Sequence, residues 1–397
     1  MKYAIAFFLA ISLIVTSLTY AQKNRGEVGV KGNKFIWTNT GEAFVPNYLM
    51  MEMFANDLSE VTEENLNAFI KEFFVGHGFN GVHVPVMGEW FHIGNKKVDA
   101  EDEVPDPKTL AKLKMIITKV YEAGGCTHLW MWGDAQRNQT AASTKGGIMG
   151  AQEKTLLDDI AKELGPLPGW SLGYGFDLWE WVNEAQLNEW HNYLWNKPNW
   201  NHLLGARASK NELDQISENL DYASYEYHKP WHPQLREMIE KRPDKPSFSE
   251  DRYRIRYPSK YPDKDYDAEE TRLGLWHHTM AGGIAAIWGN LIGNGIYENK
   301  ESIRTFFTFW NKKKRFHADM EAKVHGNTFS LEAKEKYYAF YQENTKSIEC
   351  EIEGKSMKVL AVDVLKPYKE IKMGKTSGGN YIFNAPYQSD WVLYIAK

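Results

Sequence analysis

Between about residue 43 and about residue 318 the chain repeats one alternation, a short apolar run bounded by turn formers and then a segment with helical periodicity. The runs are FVPNYLMMEMF at 44–54, FNGVHVPV at 79–86, CTHLWMWG at 126–133, FDLWEWVN at 176–183, HLLGARA at 202–208, DYASYEYH at 221–228, KPSFSE at 245–250 and GGIAAIWGN at 282–290. Amphipathic segments at 62–76, 107–123, 152–164, 185–194 and 233–241 stand ready as crossovers, and Thr62 with Glu64 after it reads as a helix cap. Eight strand-helix units in roughly 275 residues predict a (β/α)8 TIM barrel, with a doubly wound sheet as the rival arrangement. A barrel assembles its site on the loops that follow the strands, so each strand end becomes a place to look for chemistry.

Past Ala318 the grammar changes. From Tyr337 the text is a series of short alternating runs, YYAFYQ, SIECEIEG, KVLAVDVL, YKEIKMG, NYIFNAP and DWVLYIA, separated by Asn, Gly, Lys and Ser. This predicts a small all-β, sandwich-like domain over 326–397 beside a catalytic barrel over 22–325. Residues 1–21 read as a signal peptide: Lys2, the apolar run Ala4 to Val15, and Thr19 and Ala21 at the two positions a signal peptidase inspects. The chain is therefore expected to be exported, secreted or periplasmic, after cleavage near Ala21. No apolar window reaches the ~20 residues that span a bilayer, so membrane insertion is not expected. Cys126 and Cys350 lie in no cysteine-rich framework and read as two free buried thiols. The 47 basic residues are balanced by 52 acidic ones without a basic run of five, which argues against a nucleic-acid binder. An aromatic content of 14% excludes a disordered chain. It includes 15 Trp, six of them at 170–200, and that crowding reads as a surface on which sugar rings stack.

The strongest chemical signal is Trp179-Glu180-Trp181-Val182-Asn183-Glu184, read as the end of the fourth strand. A carboxylic acid after a strand, preceded by a carboxamide and surrounded by indoles, is suited to protonating the leaving oxygen of a sugar acetal. Glu250 ends the seventh run, with Asp251 beside it, and strands four and seven face each other across a barrel mouth. Two such carboxyl groups at ~5 to 5.5 Å make a retaining glycosidase, and at ~6.5 to 9.5 Å an inverting one. Glu180 reads as a buried structural carboxylate one layer deeper and Glu189 as a solvated residue on the following helix.

The Trp-Glu-x-x-Asn-Glu pattern together with a Glu at the seventh strand end resembles the clan A retaining glycoside hydrolases, and the C-terminal β module resembles the small β domain attached to some of them. The resemblance implies a barrel enzyme in which Glu184 is the acid/base, Asn183 bonds the sugar 2-hydroxyl and Glu250 is the nucleophile, without a cofactor. It further implies a Tyr or His from the sixth strand beside the nucleophile, here Tyr225 or Tyr227, and a Trp under the sugar from the eighth, here Trp288. Other strand ends supply polar and aromatic candidates for a sugar cleft: His83 and Trp90, then His128, Trp130, Trp132 and Asp134, then Arg207.

Arg252, Arg254 and Arg256 follow Glu250 directly, and guanidinium groups bind sulfate or carboxylate through paired hydrogen bonds. An anionic algal galactan such as a carrageenan is accordingly one expected substrate; a neutral plant-wall mannan or xylan is the other. A non-catalytic carbohydrate-binding barrel and a transglycosylase remain open beside a hydrolase. No metal is expected, because neither His277-His278 nor the His228 and His232 pair has a ligand spacing, and no Gly-x-Ser-x-Gly elbow is present.

Overall fold

The computed structural model describes residues 25–50, 54, 56–98, 104–207, 219–224, 231–248, 266–283 and 301–397, with 286–288 by backbone alone. The proposed signal segment lies outside them. The first elements are an antiparallel hairpin, β1 (Val28–Lys31) and β2 (Lys34–Trp37). Its Phe35 touches the rings of Tyr222 and Phe248, each at 5.8 Å.

Among the described residues, eight parallel strands follow in chain order: β3 (Asn47–Leu49), β4 (Gly81–Pro85), β5 (Cys126–Trp132), β6 (Trp170–Gly175), β7 (Leu204–Gly205), β8 (Ala223–Ser224), β9 (Ser247–Phe248) and β10 (Ala286–Trp288). The last pairs with the first, Ile287 opposite Tyr48, and from there the ladder runs continuously from β3 to β7. β8 and β9 pair with each other in parallel. Asp221, just ahead of β8, joins it to β7 by donating its backbone N–H to Leu204 O and accepting from Leu204 N–H. This is the expected TIM barrel. β4, β5 and β6 are buried at every position, as strands covered by helices on one side and by the packed barrel interior on the other must be.

One strand is displaced from its expected place. The fourth is Trp170–Gly175, not 176–183. Its alternation places Ser171 at 2.8 Å from His128 in the interior, while Tyr174 on the other face packs on Trp190 of the helix layer. Two interior positions of the strand, Gly173 and Gly175, have no side chain for a hydrophobic reading to register, so the aromatic stretch after them draws the eye instead. That stretch forms a 3-10 turn at Leu178–Glu180.

The helices are α1 (Glu63–Phe69), α2 (Pro107–Glu122), α3 (Ala151–Glu163), α4 (Glu184–Trp195), α5 (His232–Lys241), α6 (Ala268–Met280) and α7 (Glu301–Phe307). Thr62 does cap α1, and its reciprocal partner is Asn65. Among the described residues, no helix is long and apolar enough to cross a membrane.

The C-terminal module is one antiparallel sheet in the order β11 (Glu321–His325), β12 (Thr328–Ala333), β13 (Tyr337–Ile352), β16 (Gly379–Ala396), β14 (Met357–Asp363), β15 (Ile371–Thr376). It starts at Glu321, earlier than the sequence pattern shows, because β11 is a largely exposed edge strand with little apolar alternation. Register shifts between Gln342 and Ser347 break the β13–β16 ladder and bend it. Phe340, Ile348, Phe383 and Trp391, from both ends of that ladder, then share one core cluster, so the sheet closes on itself like a sandwich. Its opposite face joins the barrel's core through Leu331, Ala339, Tyr341 and Val392. Both cysteines are free and buried, and burial pushes each thiol up to about 12.

Candidate active site

A column of rings fills the barrel and leads to its C-terminal rim. Tyr48 stacks on His128 at 5.9 Å, His128 meets His83 at 5.3 Å, and His83 sets its edge against Trp130 at 3.9 Å. Trp130 in turn touches Phe176, one residue beyond β6, at 4.9 Å. Over both of these rings lies the guanidinium of Arg207, 5.4 Å from each centroid. Arg207 follows β7 by two residues, its backbone N–H bonds to Gly175 O, and its side chain is only 2% exposed. A cation is tolerated there because two aromatic faces and a carboxylate compensate its lost hydration. The carboxylate is Asp177, which accepts from Arg207 Nη2 at 3.3 Å and whose own side chain is 33% exposed. Asp177 holds φ 52° and ψ 34°, a left-handed conformation that Asp adopts more readily than most residues bearing a Cβ. Strand β6 thus ends in a twist that carries an acidic group to the rim and leans one side of it on Arg207.

The expected acid sits elsewhere. Glu184 is the first residue of α4, nine positions after β6 ends, and it is exposed. Asn183 is the N-cap of that helix: its side chain accepts from Gln186 N–H at 3.0 Å, and the Gln186 side chain accepts from Asn183 N–H at 3.0 Å. The motif read as a strand end is a loop and a helix start. Glu180, expected to be buried, is exposed in the 3-10 turn, since the strand that would have buried it ends five residues earlier. Glu189 is on the solvated helix face as expected, 3.0 Å from Lys154.

Beside Trp130 and Arg207, four of the expected cleft residues are fully enclosed. His83 and His128, both 0% exposed, belong to the ring column. Trp90 is also 0% exposed and donates to Met131 O, and Trp132, 0% exposed, donates to Glu153 Oε1 at 2.8 Å. All four are packed away from solvent, which polar character at a strand end did not reveal because interior layers alternate with the rim along each strand. Glu250, Asp251, Tyr225, Tyr227 and Arg252 lie outside the described residues, as does the side chain of Trp288, whose backbone forms β10. Asp177 was missed by sequence reasoning; the signal that could have found it is Gly173-Tyr-Gly-Phe-Asp177, glycines closing a strand directly before an acid.

Glu153, in the first turn of α3, was also missed. It is 0% exposed and accepts from Trp132 Nε1, from Tyr174 Oη at 3.0 Å and from Met149 N–H at 2.5 Å. Burial pushes its carboxyl up to about 7 against the opposing pull of those donors. A second buried acid, Glu89 after β4, pairs with Lys96 and accepts from the N–H groups of Leu58 and Gly94. Among the described residues, no group of three or more His, Cys, Asp or Glu side chains could hold a metal ion.

No protein-family model matches the chain, and no curated protein matches it. Solved structures do. A structure titled a glycoside hydrolase superposes with a TM-score of 0.70 at 13% identity, over 94% of this chain and 97% of that one. A family 5 glycoside hydrolase from Bacteroides vulgatus gives 0.70 at 11% identity, over 95% and 94%. A GH30 endoxylanase from Clostridium papyrosolvens gives 0.56 at 9% identity, over 94% and 99%. The chain shares their fold across both the barrel and the C-terminal module.

Proposed function

We propose that the chain is a retaining glycoside hydrolase acting on a polysaccharide or its oligosaccharides. The observation that carries the reading is the rim of β6 and β7, where a half-open carboxylate, a buried guanidinium and an indole meet at the place where a (β/α)8 barrel does its chemistry. The fold shared with glycoside hydrolases along nearly the whole chain supports it. Glu250, two residues beyond Phe248 of β9, is the nucleophile, and a carboxylate between the end of β6 and the first turn of α4, Asp177 or Glu184, is the acid/base. In this reading the chain is exported after cleavage near Ala21 and needs no cofactor.

The arginines at 252, 254 and 256 favour an anionic substrate such as a sulfated galactan. A neutral xylan is the second reading, favoured by the fold shared with an endoxylanase. Turnover of a panel of sulfated galactan, its desulfated form, mannan and xylan, followed by reducing-end release, tests both. Wild type should hydrolyse at least one polymer, and Glu250→Gln should lower the rate on it by ~10³-fold or more with the fold intact. Equal rates before and after desulfation remove the anionic reading, and a panel with no turnover at all removes the hydrolase.

A further inference from the structure

We infer that one face of the C-terminal module, on β14 and β15, is a docking surface for a polyanionic polysaccharide, gripped by Lys358, Lys372 and Lys375. The choice of partner rests on the glycoside hydrolase reading, and the surface is where a polymer is held, not where it is cut. The antiparallel register sets Lys358 directly opposite Lys375, and Leu360 directly opposite Lys372. Residues 358 and 360 share a face by strand alternation, so all three lysines do. In a regular strand Lys372 and Lys375, three positions apart, would face opposite ways. A register shift between Val359 and Leu360 leaves Met373 without an opposite residue, with Gly374 at φ 87° beside it, and this bulge brings both lysines to one side. All three are exposed. The paired lysines stand about 5 Å apart at Cβ, and the row of Lys372 lies about 7 Å further along the strands.

This arrangement is a cost to the fold, since like charges directly opposite each other on a sheet are destabilising. Among the described residues none of the three lysines forms an ion pair. Glu370, the acid just ahead of β15, is already shared by Arg315 at 2.7 Å and Lys313 at 3.5 Å. Lysine on an edge strand guards against pairing with another sheet, which explains Lys372 and Lys375 on β15. It does not explain Lys358, because β14 is paired on both sides, to β15 and to β16. The barrel covers part of the same face, where Leu360, Tyr394 and Ala396 pack on its core, and Lys358, opposite Ala396, lies open beyond it. Residues 366–375 carry four lysines against one acid in a chain of net charge −5, so the positive field is local. Compact charges spread over an open face suit a polymer with anions in repeat, and an ammonium takes sulfate or carboxylate alike. Holding such a polymer on the module raises its effective concentration at the barrel it is joined to.

The test measures retardation of the full chain in native gels cast with sulfated galactan, its desulfated form, polygalacturonate or neutral xylan. Wild type should be retarded by an anionic polymer, the galactan and polygalacturonate arms separating sulfate from carboxylate, and the effect should fade as salt is raised. Lys358→Gln, Lys372→Gln and Lys375→Gln combined should weaken that binding about 100-fold at low salt, a factor of about five for each charge removed. Lys375→Glu separates binding from folding. It turns the like pair with Lys358 into an opposite one, so it should melt at or above the wild-type temperature while binding weakens. Unchanged binding in the triple variant overturns the inference, as does equal retardation of wild type by the neutral polymers. Duplex DNA or anionic lipid vesicles bound as strongly as the anionic polysaccharides overturn it too, because the face is then an indiscriminate cationic surface. A chain that binds polymer through these lysines and hydrolyses none of the panel upholds the docking surface and removes the hydrolase reading alone.

Discussion

Glu153 shows how a single buried acid ties this fold to pH. Its carboxyl is pushed up to about 7 in the folded chain against an ordinary value of 4.5, so between those values the folded state holds a proton that the unfolded state has lost. Stability must then fall as pH rises through that window, by about 3 kcal/mol in all for a shift of this size. His232 and His278, both lowered to about 4 by burial, act in the opposite sense because the unfolded chain protonates them more readily. The difference between a variant and wild type isolates the glutamate. Glu153→Gln keeps an uncharged acceptor for Trp132 and Tyr174, so its melting temperature should gain on wild type by roughly 4 °C between pH 5 and pH 8. A difference flat in pH would show that Glu153 is ionised throughout. At this scale the sequence was a partial guide. It correctly assigned Cys126 and Cys350 as buried free thiols, yet Glu153 was invisible, because a Glu in the first turn of a helix has the same spacing whether it faces solvent or the barrel.

At the scale of elements, the strands that were legible are those with bulky residues, such as Cys126–Trp132, and the one misplaced is the one whose interior face carries Ser171, Gly173 and Gly175. The shift reaches the candidate site: with the strand ending at 175 and not 183, Asn183 and Glu184 are a helix cap and its first residue, and Asp177 stands at the rim. Small residues in this barrel answer large ones opposite, a relation between strands that periodicity along one strand cannot carry. Gly205 of β7 is the sharpest case, since a Cβ there would lie 1.9 Å from Cζ of Tyr222. Gly81 meets Tyr48 in the same way at 2.2 Å. Gly205→Ala should therefore destabilise by about 1 to 3 kcal/mol, read as an earlier urea midpoint at unchanged slope. Combining it with Tyr222→Leu should recover part of the loss; strict additivity of the two changes would mean that the ring and the added methyl do not meet.

Over the whole molecule, the two-part division legible in the sequence is a division of topology and not of stability. The aromatic surplus that reads as a sugar-stacking surface is spent largely on packing, with Trp90, Trp132, Trp170, Trp190 and Trp276 all fully buried. One of these bridges the parts: Trp276 of α6 stacks on Tyr341 of β13 with centroids 5.0 Å apart and planes 10° from parallel. Beside it Arg272, 3% exposed, donates to Asp390 Oδ2 at 2.8 Å, and Asp390 also accepts from the Asn344 N–H. Two further contacts cross the same seam, His277 to Glu343 at 2.7 Å and Arg315 to Glu370 at 2.7 Å. A β module tied in this way should not melt alone, and barrel and module should unfold in one transition. Arg272→Met tests the coupling, since it strands the Asp390 carboxylate at the seam and should cost about 3 to 5 kcal/mol. If the two parts share one cooperative core, far-ultraviolet circular dichroism and tryptophan fluorescence will shift together to a lower temperature. An early transition confined to part of either signal would instead mean that the module separates first, and that the continuous apolar seam contributes less than the ion pair that crosses it.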